Sequence, residues 1–273
     1  MFPPKRILFP VDFSDRCSAV VPTVEAFARR FGSEVTLFHV ANPIPLEGSP
    51  YSPETQLDAL ASRNEFKGVA VRTTIMMGDP ASEIVRFAHD QMTDLIVMPT
   101  HGYGPFRRFL VGSVTLKVLH DAWCPVWTDA HTEALPAKPR FRSMVCALDL
   151  TPKSHPTLQW AWQFAKANDA KLVLVHSVPL LTSYGAEYVQ PEWQQQVADA
   201  AARQLDCLQR SEHTLAPVEI IMGDVAGAVR TAVEAEKADL LVIGRSVDDR
   251  PLGRLRTHAY PIIRNSPCPV VSV

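Results

Sequence analysis

The chain is written twice, and that constrains its fold more than any single motif. Ile7-Leu-Phe-Pro-Val-Asp12 returns as Val145-Cys-Ala-Leu-Asp149, and Leu37-Phe-His39 returns as Leu174-Val-His176. Met77-Gly78-Asp79 recurs as Met222-Gly223-Asp224, Asp94-Leu-Ile-Val as Asp239-Leu-Leu-Val, and Cys124-Pro-Val as Cys268-Pro-Val. The order never changes, and the offset moves only from 137 residues (Asp12 to Asp149) to 145 (Asp94 to Asp239). Such spacing marks a tandem duplication. Each half of the 273 residues is long enough to bury its own core. The repeat sets the expected domains at 1–129 and 141–273, joined by a Pro- and Ala-containing linker, 130–140.

Within each half, short apolar runs alternate with amphipathic stretches. In the first half, strands are expected near Arg6 to Val11, Glu34 to Val40, Ala70 to Met76, Asp94 to Met98 and Pro125 to Trp127. Helices are expected near Asp15 to Phe31, with Ser14 as cap, Pro53 to Glu65, Ala81 to Gln91 and Ser113 to Asp121. This βαβ alternation implies an α/β fold with a parallel sheet covered on both faces. Ligands of such sheets bind outside the carboxyl ends of the strands, at the topological switch point. That rule brings Asp12, after strand one, near the segment that follows strand four.

The segment after strand four is the main functional clue. It reads Pro99-Thr-His-Gly102 and, after nine residues, Gly112-Ser113-Val114-Thr115, where a helix begins. Unpaired amides and the positive end of the dipole at a helix start favour an anion, and glycine lets backbone approach it. Ser113 and Thr115 add hydroxyls. On these residues alone, Gly112-Ser113 reads equally well as a turn and helix cap. Asp12 has a local alternative too, since an acid before a helix favours its positive end.

Composition removes other classes of function. Apolar residues make up 47% and charged residues 21%, and the formal charge of -2 gives no electrostatic reason to expect nucleic acid. Nowhere do about eighteen apolar residues run together, so no membrane association and a cytoplasmic location are expected. The five cysteines are scattered and never spaced as CxxC, as in reduced thiols rather than a disulfide frame or a zinc site. There is no Gly-x4-Gly-Lys-Ser/Thr loop, no glycine in the first strand-to-helix turn, no Gly-x-Ser-x-Gly elbow and no His-Glu-x2-His motif. Catalysis is therefore not expected beyond slow ATP hydrolysis.

Taken together, the strand ending in Pro10-Val11-Asp12, the histidine closing strand two, the glycine before helix three, the Cys124-Pro-Val strand and the Gly-x9-Gly-Ser loop resemble the universal stress protein family in a tandem form. The resemblance covers residues 4–129 and 141–273. It implies two Rossmann-like domains of the adenine nucleotide alpha hydrolase-like type, each a five-stranded parallel sheet of order 3-2-1-4-5 flanked by helices. It further implies that the domains pair through their last strands as an intramolecular pseudo-dimer, and that the whole chain can form a homodimer. In one subclass the family binds ATP through Gly-x2-Gly-x9-Gly-Ser/Thr. Three of those four positions match here, and Pro99 departs, lacking an amide hydrogen. Carried over, Asp12 and Val40, with Pro10 and Val11, line the adenine and ribose end, and Met98 flanks the sugar or base. Gly102, Gly112, Ser113, Val114 and Thr115 surround the phosphates, with His101 beside them and Arg107 and Arg108 as second-rank candidates. The ligand implied is ATP, ADP or another adenine nucleotide, with magnesium supplied by the nucleotide.

The second half has lost the motif: Gly244-Arg-Ser-Val247 is followed after nine residues by Thr257-His258, and Asp248 and Asp249 add negative charge. An empty second site is expected. Trp123, Trp127, Trp160 and Trp162 are expected in the core, with an interface as the alternative, and His39 and His176 at satisfied positions at strand ends. The proline-rich stretches 41–55 and 179–191 are the surfaces where an unidentified protein partner is expected. The reading that results is a stress-response regulator whose conformation responds to nucleotide, with a nucleotide-independent scaffold as the alternative.

Overall fold

A computed structural model of the chain describes residues 2–41, 52–101, 111–129, 139–178, 191–245 and 259–273. The linker residues 130–138, the stretches 42–51 and 179–190, residues 102–110 and residues 246–258 lie outside the described residues. Two compact units emerge, essentially Met1–Arg140 and Phe141–Val271.

The first unit runs β1 (Arg6–Pro10), α1 (Asp15–Phe31), β2 (Glu34–Ala41), α2 (Pro53–Ala61), β3 (Ala70–Met77), α3 (Pro80–Asp90), β4 (Leu95–Met98), α4 (Ser113–Asp121) and β5 (Val126–Thr128). Its strands pair in parallel in the order β3-β2-β1-β4-β5. Ile7, Leu8, Phe9, Leu95, Ile96 and Val97 are all buried, because helices cover both faces of the central strands. Helix α1 supplies one cover with a stripe at helical spacing: Cys17, Val20, Val21, Val24, Phe27, Ala28 and Phe31.

The second unit repeats the plan with β6 (Ser143–Ala147), α5 (Ser154–Asn168), β7 (Lys171–Val178), α6 (Pro191–Ser211), β8 (Val218–Met222), α7 (Val225–Ala235), β9 (Leu240–Ile243), α8 (Ala259–Asn265) and β10 (Val270–Ser272). The order is β10-β9-β6-β7-β8, again with parallel pairing.

The repeated residues have repeated physical causes. Asp94 Oδ2 accepts from the backbone N–H groups of Lys5 and Arg6, and Asp239 Oδ2 does the same for Arg142 and Ser143. These aspartates therefore bond to the chain at the entry to the first strand instead of opening the fourth, which starts one residue later than expected, at Leu95. His39 Nδ1 and His176 Nδ1 each lie 2.7 Å from the carbonyl oxygens of Val11 and Leu148, which makes them satisfied strand-end histidines. Gly78 and Gly223 hold φ of 145° and 148°, which side chains disfavour, so the Met-Gly-Asp turn needs its glycine. The aspartate that follows caps the next helix: Asp79 accepts from Ser82 N–H and Asp224 from Gly227 N–H.

Two expectations need correction. Helix two stops at Ala61, and a separate 3-10 turn, Asn64–Phe66, swings Phe66 into the core. Arg29 satisfies the carbonyls of Glu65 and Lys67 beside that turn. Trp127 and Trp160 are core residues, but Trp123 is 47% exposed and packs edge-on against His89. Trp162 is half-buried beneath the ammonium of Lys166.

Candidate functional site

At the carboxyl ends of β1 and β4 the first unit holds a cavity of about 300 Å³. Pro10, Val11, Asp12, Val40, Met98, Pro99, His101, Gly112, Ser113, Val114 and Thr115 all line it, and Gly102 lies outside the described residues, as do Arg107 and Arg108. The sequence reading missed four further lining residues: Phe38, His39, Pro80 and Ile84. Phe38 and His39 sit at the expected strand-two end. Pro80 and Ile84 are brought in by α3, whose first turn follows the repeated Gly78-Asp79.

The walls differ in chemistry. Val11, Phe38, Val40, Ile84 and Met98 make an apolar side. Opposite chemistry comes from α4, whose first residue follows Gly112. The starts of α1, α2, α3 and α7 are capped by Ser14, Ser52, Asp79 and Asp224, whereas Gly112 leaves α4 with no side-chain cap. Uncapped amides at a helix start retain their capacity to donate. Gly112 lies against backbone that the sequence does not suggest as its neighbour. A Cβ there would lie 3.4 Å from both His101 Cα and Thr100 O, and Gly112 N–H donates to Thr100 O at 2.7 Å. Thr100 and Gly112 are thus joined directly, backbone to backbone.

Asp12 lines the cavity and also shapes its own turn. Its Oδ1 accepts from Ser14 N–H at 3.0 Å and Ser14 Oγ–H at 2.6 Å across Phe13, which has a φ of 62°. Asp149 repeats this with Thr151 N–H, Thr151 Oγ–H and Ser154 Oγ–H across Leu150, which explains why it persists where the loop motif has been lost. Thr115 lines the cavity, and its hydroxyl donates to Pro99 O at 3.1 Å. Beneath the cavity, burial and the charge of Asp12 push the Cys17 thiol up to about 12, so it stays a thiol.

Two acidic residues frame the site. On one side Lys117 of α4 reaches Asp79 at 3.0 Å and Ser82 Oγ at 2.8 Å, tying the start of α3 to α4. The Ser82 hydroxyl, then Lys117, hold the Asp79 carboxyl well below the usual range. On the other side Asp129, just past β5, is buried, and burial pushes its carboxyl up to about 6 against the opposing pull of Thr100. The sequence reading did not single out Asp129.

A shallower depression of about 960 Å³ lies at the opposite, amino ends of β1, β2 and β3. Its cations are committed: Lys5 to Phe31 O, Arg6 to Asp94, and Arg29 to Glu25 and two carbonyls. In the second unit, Val247, Asp248, Asp249, Arg250, Arg254, Arg256, Thr257 and His258 lie outside the described residues. Among the described residues, no group of three or more His, Cys, Asp or Glu could hold a metal ion, and no helix is long and apolar enough to cross a membrane.

A parallel sheet of order 3-2-1-4-5 with a cavity at the β1/β4 switch point places the first unit among doubly wound α/β folds with switch-point sites. The chain belongs to the universal stress protein family, whose model matches residues 3–128 and 140–273. It is 33% identical over 135 residues to universal stress protein MJ0531 of Methanocaldococcus jannaschii, across 45% of this chain and 79% of that protein. Among solved structures it is similar to PA1789 of Pseudomonas aeruginosa PAO1, a protein described as functionally unknown, with a TM-score of 0.75 at 14% identity over 99% of this chain and 92% of the other. A universal stress protein of Archaeoglobus fulgidus DSM 4304 gives 0.67 at 21%, over 98% and 95%. At these identities the two structures speak to the fold alone.

Proposed function

We propose that the first unit binds an adenine nucleotide and that the protein is a nucleotide-responsive regulator. One observation carries the reading: a single cavity joins an apolar wall to the uncapped start of α4. A base and ribose fit the wall of Val11, Phe38, Val40, Ile84 and Met98, while phosphate fits the amides that follow Gly112 and the positive end of the helix. Pro99 offers no amide, so phosphate contacts come from the α4 side. Magnesium would travel with the nucleotide, held by phosphate oxygens and water.

Binding rather than catalysis is the role we assign. The Asp12 oxygen that bonds Ser14 N–H and Oγ–H is occupied in shaping the turn, which leaves that oxygen poorly placed to activate water. Regulation requires that bound nucleotide stabilise one surface conformation over another.

The test is to denature freshly purified protein, without added nucleotide, and quantify what is released by ion-exchange chromatography and mass spectrometry. A yield near one adenine nucleotide per chain, lost in Gly112→Val, supports the reading. No release, with no calorimetric binding of ATP at millimolar concentration, overturns it in favour of a nucleotide-independent scaffold.

A further inference from the structure

Asp129 is 4% exposed and contributes to no expected motif, yet it is bonded to the segment that lines the cavity. Its Oδ1 accepts from Thr100 N–H at 2.6 Å and from Thr100 Oγ–H at 2.9 Å. Thr100 Oγ1 lies 3.2 Å from His101 Nδ1. A hydroxyl has one proton, and here it goes to the carboxylate, so Thr100 Oγ1 accepts from His101 Nδ1–H. The carboxylate is thereby wired through one hydroxyl to an imidazole that is 5% exposed and lines the cavity.

The second unit shows what this wiring replaces. The repeat equivalent of Thr100 is Arg245, and its N–H donates to the backbone oxygen of Val273 at 3.0 Å. Val273 is the equivalent of Asp129 at an offset of 144, the same offset that relates Cys124 to Cys268. The fold needs only an acceptor at this point and obtains one there from backbone. In the first unit a side-chain carboxylate has taken over.

We propose that Asp129 is the positioning residue of the cavity: its buried carboxylate fixes Thr100 and, through the Thr100 hydroxyl, orients His101 and favours its protonated form for an anionic ligand. This rests on the nucleotide reading above for the identity of the ligand, but not for the coupling itself. A negative charge joined through one hydroxyl favours the imidazolium, and the imidazolium is a donor to phosphate. Arg16 of α1 is the cation that acts on Asp129, His101 is the titratable group reached through Thr100, and Asp12 after β1 and His39 of β2 are the titratable groups that line the same cavity as His101. Because the Asp129 carboxyl titrates near neutrality, the support it gives His101 fades on acidification.

The experiment follows the His101 ring by NMR from pH 5 to 8 in the nucleotide-free full chain, for the wild type, Asp129→Asn and Thr100→Val. Calorimetric titration with MgATP at pH 7.5 comes second. The expected result is that the His101 midpoint falls by about 0.5 or more in both variants. ATP affinity should fall by about threefold to tenfold in both. An unchanged His101 midpoint in the variants overturns the proposal. A lowered midpoint with no ATP bound by any of the three proteins keeps the positioning role and sinks the nucleotide reading. Should Asp129→Asn fail to fold, Thr100→Val cuts the same link at the hydroxyl and decides alone.

Discussion

Exchanging the buried Asp129 carboxylate for its neutral isostere should make the protein more stable at neutral pH, even as it takes away the charge that acts on His101. In the folded chain burial moves this carboxyl from 3.8 to about 6. A shift of about two units corresponds to about 3 kcal/mol. The sign follows from proton binding: the folded state holds the proton more tightly than the unfolded state does. The stabilisation from this group is therefore complete below pH 3.8 and lost as the pH rises through about 6. The asparagine of Asp129→Asn would carry no charge to bury, and its amide oxygen can still accept from Thr100. The weaker neutral hydrogen bonds return about 0.5–1.5 kcal/mol of the gain. A net increase of about 1–3 kcal/mol in Asp129→Asn is expected above pH 7, shrinking toward zero below pH 4. Urea unfolding followed by tryptophan fluorescence from pH 4 to 8 measures it, and taking the difference between variant and wild type cancels the titration of all other carboxylates. A variant less stable than wild type at pH 7.5, or a difference that does not change with pH, would refute the reasoning. Stability gained where function is lost is common at sites that bury charge for a purpose.

Other perturbations probe the same frame. Pro99→Gly restores an amide at the cavity and should raise ATP affinity by up to about tenfold in calorimetry, while lowering overall stability by about 0.4–1 kcal/mol through a freer unfolded chain. Gly112→Val would place its Cβ 3.4 Å from Thr100 O and His101 Cα, at the edge of ordinary contact, and should cost about 1 kcal/mol or less by denaturation. Val40→Trp fills the cavity from its half-exposed rim and should abolish nucleotide retention on purification, with a stability change within about 1 kcal/mol. Cys207 is exposed while the other four cysteines are buried, with Cys17 and Cys268 pushed up to about 12 and about 11. Native protein at pH 8 should therefore take up one equivalent of a thiol reagent, and Cys207→Ser none.

Much of this architecture is legible in the chain because local chemistry and global fold agree. Ile7-Leu-Phe reads as a buried strand because both its faces are covered, and Ser14 reads as a cap because its oxygen accepts from the N–H of Cys17 at the start of the helix. The residues named for the cavity come from strand ends and a helix start, positions that a doubly wound sheet brings together by topology. What escapes the sequence depends on neighbours far along the chain. Asp129 meets Thr100 across 29 residues only because β5 lies beside β4. Ile84 reaches the cavity through the packing of α3, and the Thr115 hydroxyl is claimed by Pro99 O, a partner that spacing does not reveal. Asp12 and Asp149 show the converse, since a repeated residue that suggests a shared ligand also serves a shared turn.

The two acceptors for one shared need, a carboxylate for Thr100 N–H and a backbone oxygen for Arg245 N–H, differ in what heredity can do with them. Exchanging the side chain of Val273 leaves its main-chain oxygen in place, so that anchor in the second unit does not depend on which side chain stands there. The anchor in the first unit is a side chain, and one codon can make it longer, neutral or absent. Duplication has thus left one copy of the fold with a fastening indifferent to side-chain exchange and the other with one that a single exchange can retune without redrawing the sheet.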